Sequence, residues 1–113
     1  MLIKMTQQAE VQWSDAEKKI AEVALKKAYE QELKSLVQGV RGKASLISLP
    51  EDVWQLHDFL SAKRHEIDGK YDDRESFLMY TLSRLVKDGL LDLSDLMELE
   101  TDKRAKISVL TRM

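Results

Sequence analysis

The side chains with the most chemistry to offer are crowded between Glu51 and Arg74: Trp54, the His57–Asp58 doublet, His65, Arg64 and Lys70. A histidine beside an aspartate begins the kind of metal site that cleaves phosphate esters, but such a site also needs further histidines and a distant aspartate. His57 and His65 are the only histidines, and eight positions on one helix put them about 12 Å apart along its axis, too far to share an ion. The sequence offers no phosphate-cradling glycine loop, no serine in a strained glycine-flanked turn and no carboxylate pair isolated among apolar residues. With no cysteine, disulfide stapling, thiolate catalysis and cysteine-ligated metal are excluded. The pattern therefore predicts no catalytic residue, no metal and no cofactor.

What the same residues suit is contact with another protein. On a helix, Val53, Leu56, His57, Leu60, Arg64 and Ile67 are spaced to share one face, which places a histidine and an arginine within an apolar stripe. Phe59 is expected to point roughly the opposite way, and Trp54, Asp58, Ser61 and His65 to run beside the stripe. Two readings of Arg64 stand. It lays its methylenes on Leu60 and pairs with Asp68 four residues on, or it crosses to Asp58 on a second copy of the chain. Trp54 is likewise either a core residue or an amphipathic interface anchor.

The elements that position these residues read as helices throughout, since no alternating β-branched run of strand length occurs. Ser14-Asp15-Ala16-Glu17 is a capping box, with Trp13 placed to fold onto the first turn. Ile20, Val23, Ala24, Ala28, Leu33, Leu36, Val37 and Val40 recur at three and four, predicting a helix of about 25 to 30 residues. Gly39 and Gly42 are expected to fray or bend its end.

Ser48-Leu49-Pro50-Glu51 predicts a second capping box, and Gly69 a left-handed stop for the helix it opens. Asp72 should cap a third helix that buries Phe77, Leu78, Thr81, Leu82, Leu85 and Val86 and stops at Gly89. A short helix follows at about 95–99, with Leu96 and Leu99 inward. Thr101-Asp102 caps the last helix, with Ala105, Ile107, Val109 and Leu110 buried and Lys103, Arg104, Lys106 and Arg112 outside. The predicted fold is all-α: residues 1–13 as a lead-in with Leu2, Ile3 and Met5 loosely packed, a long antiparallel helical hairpin over 14–70 as a dimerisation stalk, and a small C-terminal helical head over 71–113.

Composition narrows the partners. A formal charge of −2 gives no global attraction to nucleic acid or anionic membrane, and no window approaches the roughly 20 apolar residues of a spanning helix. No secretory signal is visible at the N-terminus, so the expectation is a soluble cytoplasmic protein. The rival class is a generic dimeric helical adaptor or transcriptional regulator reading DNA through its C-terminal helices. There Lys103, Arg104, Lys106 and Arg112 form a thin basic face among Asp92, Asp95, Glu98, Glu100 and Asp102.

The segment WQLHDFLSAKRHEIDGKYDDR, with KKAYEQEL in the helix before it, closely resembles the fluorescence recovery proteins of cyanobacteria. The likeness runs from Trp13 onward and is densest from Trp54 to Arg74. It implies an all-α homodimer without a chromophore that binds the C-terminal domain of the photoactivated, red orange carotenoid protein. In that family binding speeds reversion to the orange form and helps end quenching of phycobilisome fluorescence, which would place the chain near phycobilisomes at the thylakoid surface. By this resemblance Trp54, His57, Asp58 and Arg64 match positions of the dimer interface and partner-binding surface. In the head Tyr80 stands where a relative has phenylalanine, and Lys106 matches a basic position; both imply contact with the carotenoid protein.

Overall fold

The computed structural model describes residues 12–113; the expectations for Leu2, Ile3, Met5 and the rest of the first eleven positions lie outside the described residues. Among the described residues four α-helices account for most of the length: α1 (Asp15–Ser45), α2 (Pro50–Lys70), α3 (Glu75–Lys87) and α4 (Thr101–Thr111), with a short 3-10 helix at Leu93–Leu96. Among the described residues there is no strand, as the sequence predicts.

α1 opens as its sequence dictates. The Ser14 hydroxyl oxygen accepts from the Glu17 N–H at 3.1 Å, and the Glu17 carboxylate accepts from the Ser14 N–H at 3.2 Å, closing the capping box. The helix then runs unbroken through Gly39 and Gly42 for 31 residues, about 46 Å at 1.5 Å per residue. The two glycines were expected to fray it; each costs about 1 kcal/mol relative to alanine, too little to end a helix that meets no proline before Pro50. The molecule is correspondingly elongated, 60 × 32 × 25 Å, with a radius of gyration of 17.8 Å. A compact chain of this length would have about 13 Å.

The other boundaries shift by a residue or two, each for a visible reason. At α2 the expected Ser48 cap is inverted. Leu49 holds the cap position with no side-chain acceptor, and the Asp52 carboxylate reaches back to the N–H groups of Ser48 and Leu49, both at 3.0 Å. Gly69 does not close α2, which continues to Lys70, because Lys70 is held in place by ion pairs. At α3, Arg74 rather than Asp72 takes the cap position; Asp72 instead accepts from the Arg74 N–H and guanidinium, leaving Glu75 to meet Lys18 at 3.4 Å. Gly89 does stop α3, with φ +82°: its N–H reaches Val86 O and that of Leu90 reaches Leu85 O, a paired closure that suits a glycine. α4 is preceded by Glu100 at its cap, and Asp102 accepts from the Lys103 N–H instead of capping.

The core joins the first half of α1 to the C-terminal helices. Ala21, Ala24 and Ala28 present a small-residue face on which Leu78, Leu82 and Leu85 of α3, Leu91, Leu96, Leu99 and Ile107 pack. Leu82, Leu85, Leu96 and Ile107 are the largest fully buried side chains, each worth about 1.5 to 3 kcal/mol over exposure. Trp13 is buried in the same cluster. Of the positions expected inside, Phe77, Ala105 and Val109 are exposed, the last two because α4 is turned differently on its axis; Val23 and Val37 of the α1 pattern are exposed as well.

That turn is set by a buried charge. Lys103, expected outside, is buried one turn before Ile107, and its ammonium meets the Glu17 carboxylate at 3.0 Å. Glu17 also accepts from the Glu100 N–H at 3.1 Å, so one carboxylate ties the start of α1 to the start of α4. The Lys103 ammonium lies 5.2 Å from the centre of the Trp13 ring. Burial alone would raise the Glu17 carboxyl, but the Glu100 N–H, the Lys103 ammonium and the Ser14 N–H outweigh it and hold it below the ordinary value of 4.5. A depressed carboxyl stabilises the fold above its unfolded pKa, and that stability is lost as pH falls through the lower, folded one. Thermal melts should therefore show a loss of stability below about pH 4.5 that is reduced in Glu17→Gln. At neutral pH, denaturant titration should place that variant about 3 kcal/mol below the parent, because Lys103 is left buried without its charge partner.

Candidate functional site

α2 packs on α1 through Leu56, Phe59, Lys63, Ile67 and Lys70, spaced three, four, four and three. Only Ile67 and Lys70 in the whole helix are buried. The inward face is therefore rotated from the expected stripe. Leu56 and Ile67 remain on it, but Val53, His57, Leu60 and Arg64 turn to solvent. Phe59, on the side opposite those exposed residues as its spacing predicts, lies half-buried with the Lys43 ammonium 4.5 Å from its ring centre. Periodicity alone left the inward side of α2 open, because the strongest anchor on this face is a charged side chain, Lys70, which an apolar pattern does not count.

The outward face of α2 carries the residues singled out from the sequence. Trp54 is 63% exposed, which rules out the core reading of it in the protomer. Its ring meets His57 edge-on at 6.2 Å between centroids, and His57 Nδ1 lies 3.3 Å from the Asp58 carboxylate. Arg64 Nε donates to Asp68 at 3.1 Å, the local pairing foreseen as one of two readings. Both partners of that contact are mostly exposed, so it contributes at most tenths of a kcal/mol and leaves Arg64 free to exchange partners. Trp54, His57, Asp58 and Arg64 thus share one exposed surface, flanked by the exposed Val53 and Leu60. Among the described residues no group of His, Asp and Glu could hold a metal ion.

The two head residues are also accessible. Tyr80 on α3 is 66% exposed, and Lys106 on α4 is exposed beside an open groove of about 1050 Å³ lined also by Trp13, Glu17, Met79, Glu100, Lys103 and Val109. Phe77, placed inside by its spacing, instead stands exposed with the Arg74 guanidinium 4.4 Å above its ring. The Arg74–Phe77 spacing of one helical turn carried that signal. The basic face needed by a DNA reader is thinner than in the sequence. Lys103 is buried against Glu17, and Arg104 donates to Leu99 O and Thr101 Oγ1, leaving Lys106 and Arg112 outward.

One cluster goes well beyond the Glu66–Lys70 spacing of four that the sequence shows. At the junction of the hairpin and the C-terminal helices, the Lys70 ammonium lies 2.7 Å from Glu32 of α1, 3.4 Å from Glu66 and 3.7 Å from Asp88 at the end of α3. The Tyr71 hydroxyl donates to the other Glu32 oxygen at 2.7 Å, and its ring meets Tyr29 edge-on. Burial, then the Glu32 hydrogen bond and charge, push the Tyr71 phenol well above its ordinary value. Burial opposes the charge on Lys70, yet Glu32 and the other carboxylates outweigh it and raise its pKa. The contacts across 38 positions of sequence could not be read from either helix alone.

No helix among the described residues is long and apolar enough to cross a membrane. Comparison with known proteins agrees with the resemblance. The family profile described as photoprotection regulator fluorescence recovery protein matches residues 13–111. The fluorescence recovery protein of Synechocystis sp. PCC 6803 is 49% identical over 109 residues, covering 96% of this chain and 100% of that protein. The solved fluorescence recovery protein of Fremyella diplosiphon superposes with a TM-score of 0.86 at 52% identity, and that of Synechocystis sp. PCC 6803 with 0.87 at 48%; each comparison covers 90% of this chain and 100% of the other. This chain therefore belongs to the photoprotection regulator fluorescence recovery protein family, a family of regulators and not of enzymes.

Proposed function

We propose that the chain acts as a homodimer that binds the red, photoactivated orange carotenoid protein through that partner's C-terminal domain, speeds its return to the orange form and so helps end phycobilisome quenching. In this reading residues 14–70 make the dimerisation stalk and 71–113 the head that grips the partner. The protein works in the cytoplasm, at phycobilisomes on the thylakoid surface. The observation that carries the dimer is the outward face of α2, where a tryptophan, a valine and a leucine stand exposed around Asp58 and Arg64 in the lone protomer. An apolar patch with a polar rim of this kind suits a second protein surface.

In a two-fold dimer Arg64 would leave Asp68 for the partner's Asp58, and the contact would occur twice, each copy desolvated and fixing register. Trp54 and His57 pack beside it. Tyr80 and Lys106 remain accessible on the head, the first offering a ring and a hydroxyl, the second a cation. The acceleration needs no bond-making. A binder speeds a two-state conversion if it holds the transition state more tightly than the red starting state; equal affinity for both changes nothing. Gripping an exposed surface of the red form in a geometry that favours re-docking of its domains meets that condition.

Arg64→Glu should lower the mass seen by light scattering from dimer to monomer, and exchanging Asp58 and Arg64 together should partly restore the dimer; an intact dimer in the single variant would refute the pair. Trp54→Ala should change protomer stability by less than about 1 kcal/mol, because the ring is mostly exposed, while weakening the dimer. Stoichiometric addition of the chain to the photoactivated carotenoid protein should speed dark absorption recovery, and Lys106→Glu should slow that recovery without changing dimer mass. No change in recovery on adding the parent chain would refute the function.

A further inference from the structure

The outward face of α2 is only as well aimed as the helix that carries it, and α2 is weakly held by apolar burial. Of its residues only Ile67 and Lys70 are buried; the rest of its inward face is half-covered. Its main packing partner is α1, along the half of that helix that extends past the head core. Rotation and sliding of α2 on such a shallow apolar contact would meet little resistance, because one side chain slips past another without leaving a large void.

Lys70 supplies the missing constraint. Its side chain is 3% exposed, and its ammonium is met from three elements at once: Glu32 of α1 at 2.7 Å, Glu66 of its own helix at 3.4 Å and Asp88 at the end of α3 at 3.7 Å. Glu32 is fixed in turn by the Tyr71 hydroxyl at 2.7 Å. A directional contact of this sort has one satisfied geometry, unlike an apolar one. Lys70 and the outward residues sit on one rigid helix, so pinning Lys70 pins the rotation of them all. We propose that Lys70 is the positioning residue that fixes α2 against α1 and the head, and thereby the direction in which the Trp54, His57, Asp58 and Arg64 face is presented. The use of that face by a second copy rests on the proposed function; the positioning itself does not.

The absence of cysteine makes a direct test clean. Gln55→Cys in α2 and Glu98→Cys in the head, both at exposed positions, take spin labels, and dilution with unlabelled protein isolates the distance within one protomer. The parent should give a single narrow distance distribution. Lys70→Met, with helix content by circular dichroism kept, should lose that narrow peak for a broad or multiple one, and Lys70→Arg should retain it. If Lys70→Met loses helix, the Glu32→Gln/Lys70→Met pair removes both charges of the contact together and is read in the same way. An unchanged narrow distribution in a folded charge-removed variant overturns the proposal. So does hydrogen exchange showing that α3 and α4 open along with α2 in both variants, since Lys70 would then support the whole core and not the aim of one helix. The dimer is scored separately by light scattering: a monomeric parent refutes the use of the face, while the distance result still decides the role of Lys70.

Discussion

A helix of 31 residues is longer than the rest of this chain can cover, and most of the architecture follows from that mismatch. The C-terminal helices wrap only the first half of α1, where Ala21, Ala24 and Ala28 let the leucines of α3 approach closely. The second half is left with α2 alone, and two helices cannot enclose a core between them. The arm therefore keeps apolar side chains at its surface, among them Val37, Leu49, Val53 and Trp54. The proposed dimer contact lies on that surface.

Where apolar burial is thin, buried charges define the geometry. Glu17 receives the Lys103 ammonium and the N–H groups of Ser14 and Glu100, and so registers the N-terminus of α1 against α4. Glu32 receives Lys70 and Tyr71, and so registers α2 and its exit against the middle of α1. Both glutamates lie on α1 and both bond lysines from far along the sequence. Neither pair is needed to make the chain collapse, since a buried ion pair is often no more stabilising than apolar residues of the same shape. Their contribution is directional: each has one arrangement in which every charge is met. The outward face of α2 and the exposed head residues are held in a fixed relation by such contacts.

The elements of the fold were legible in the sequence because they depend on local signals. The Ser14–Glu17 capping box, the proline at the first turn of α2 and the glycine that ends α3 act over three or four residues, and all three stand where their chemistry puts them. Boundaries that required a choice between neighbouring carboxylates, Glu51 or Asp52, Asp72 or Glu75, were less legible, since more than one can reach the start of a helix; Asp52 reaches back to Ser48 and Leu49, Asp72 holds Arg74, and Glu75 meets the distant Lys18. The candidate surface was legible in membership but not in setting. Trp54, His57, Asp58 and Arg64 stand on one exposed side of α2, and Val53 and Leu60 of the apolar stripe turn outward with them.

The sequence by itself determined that the chain is helical, without thiol chemistry or a histidine-rich metal site, and that its unusual side chains gather on α2, because composition and 3.6-residue periodicity are properties of the chain alone. Tertiary structure decided which side of each helix faces inward. That choice falls to Lys70 and Lys103, two side chains that a hydrophobic pattern assigns to water and that distant glutamates draw into the protein. A charge is buried only when its partner is already there, and the partner's place is known only once the chain has folded.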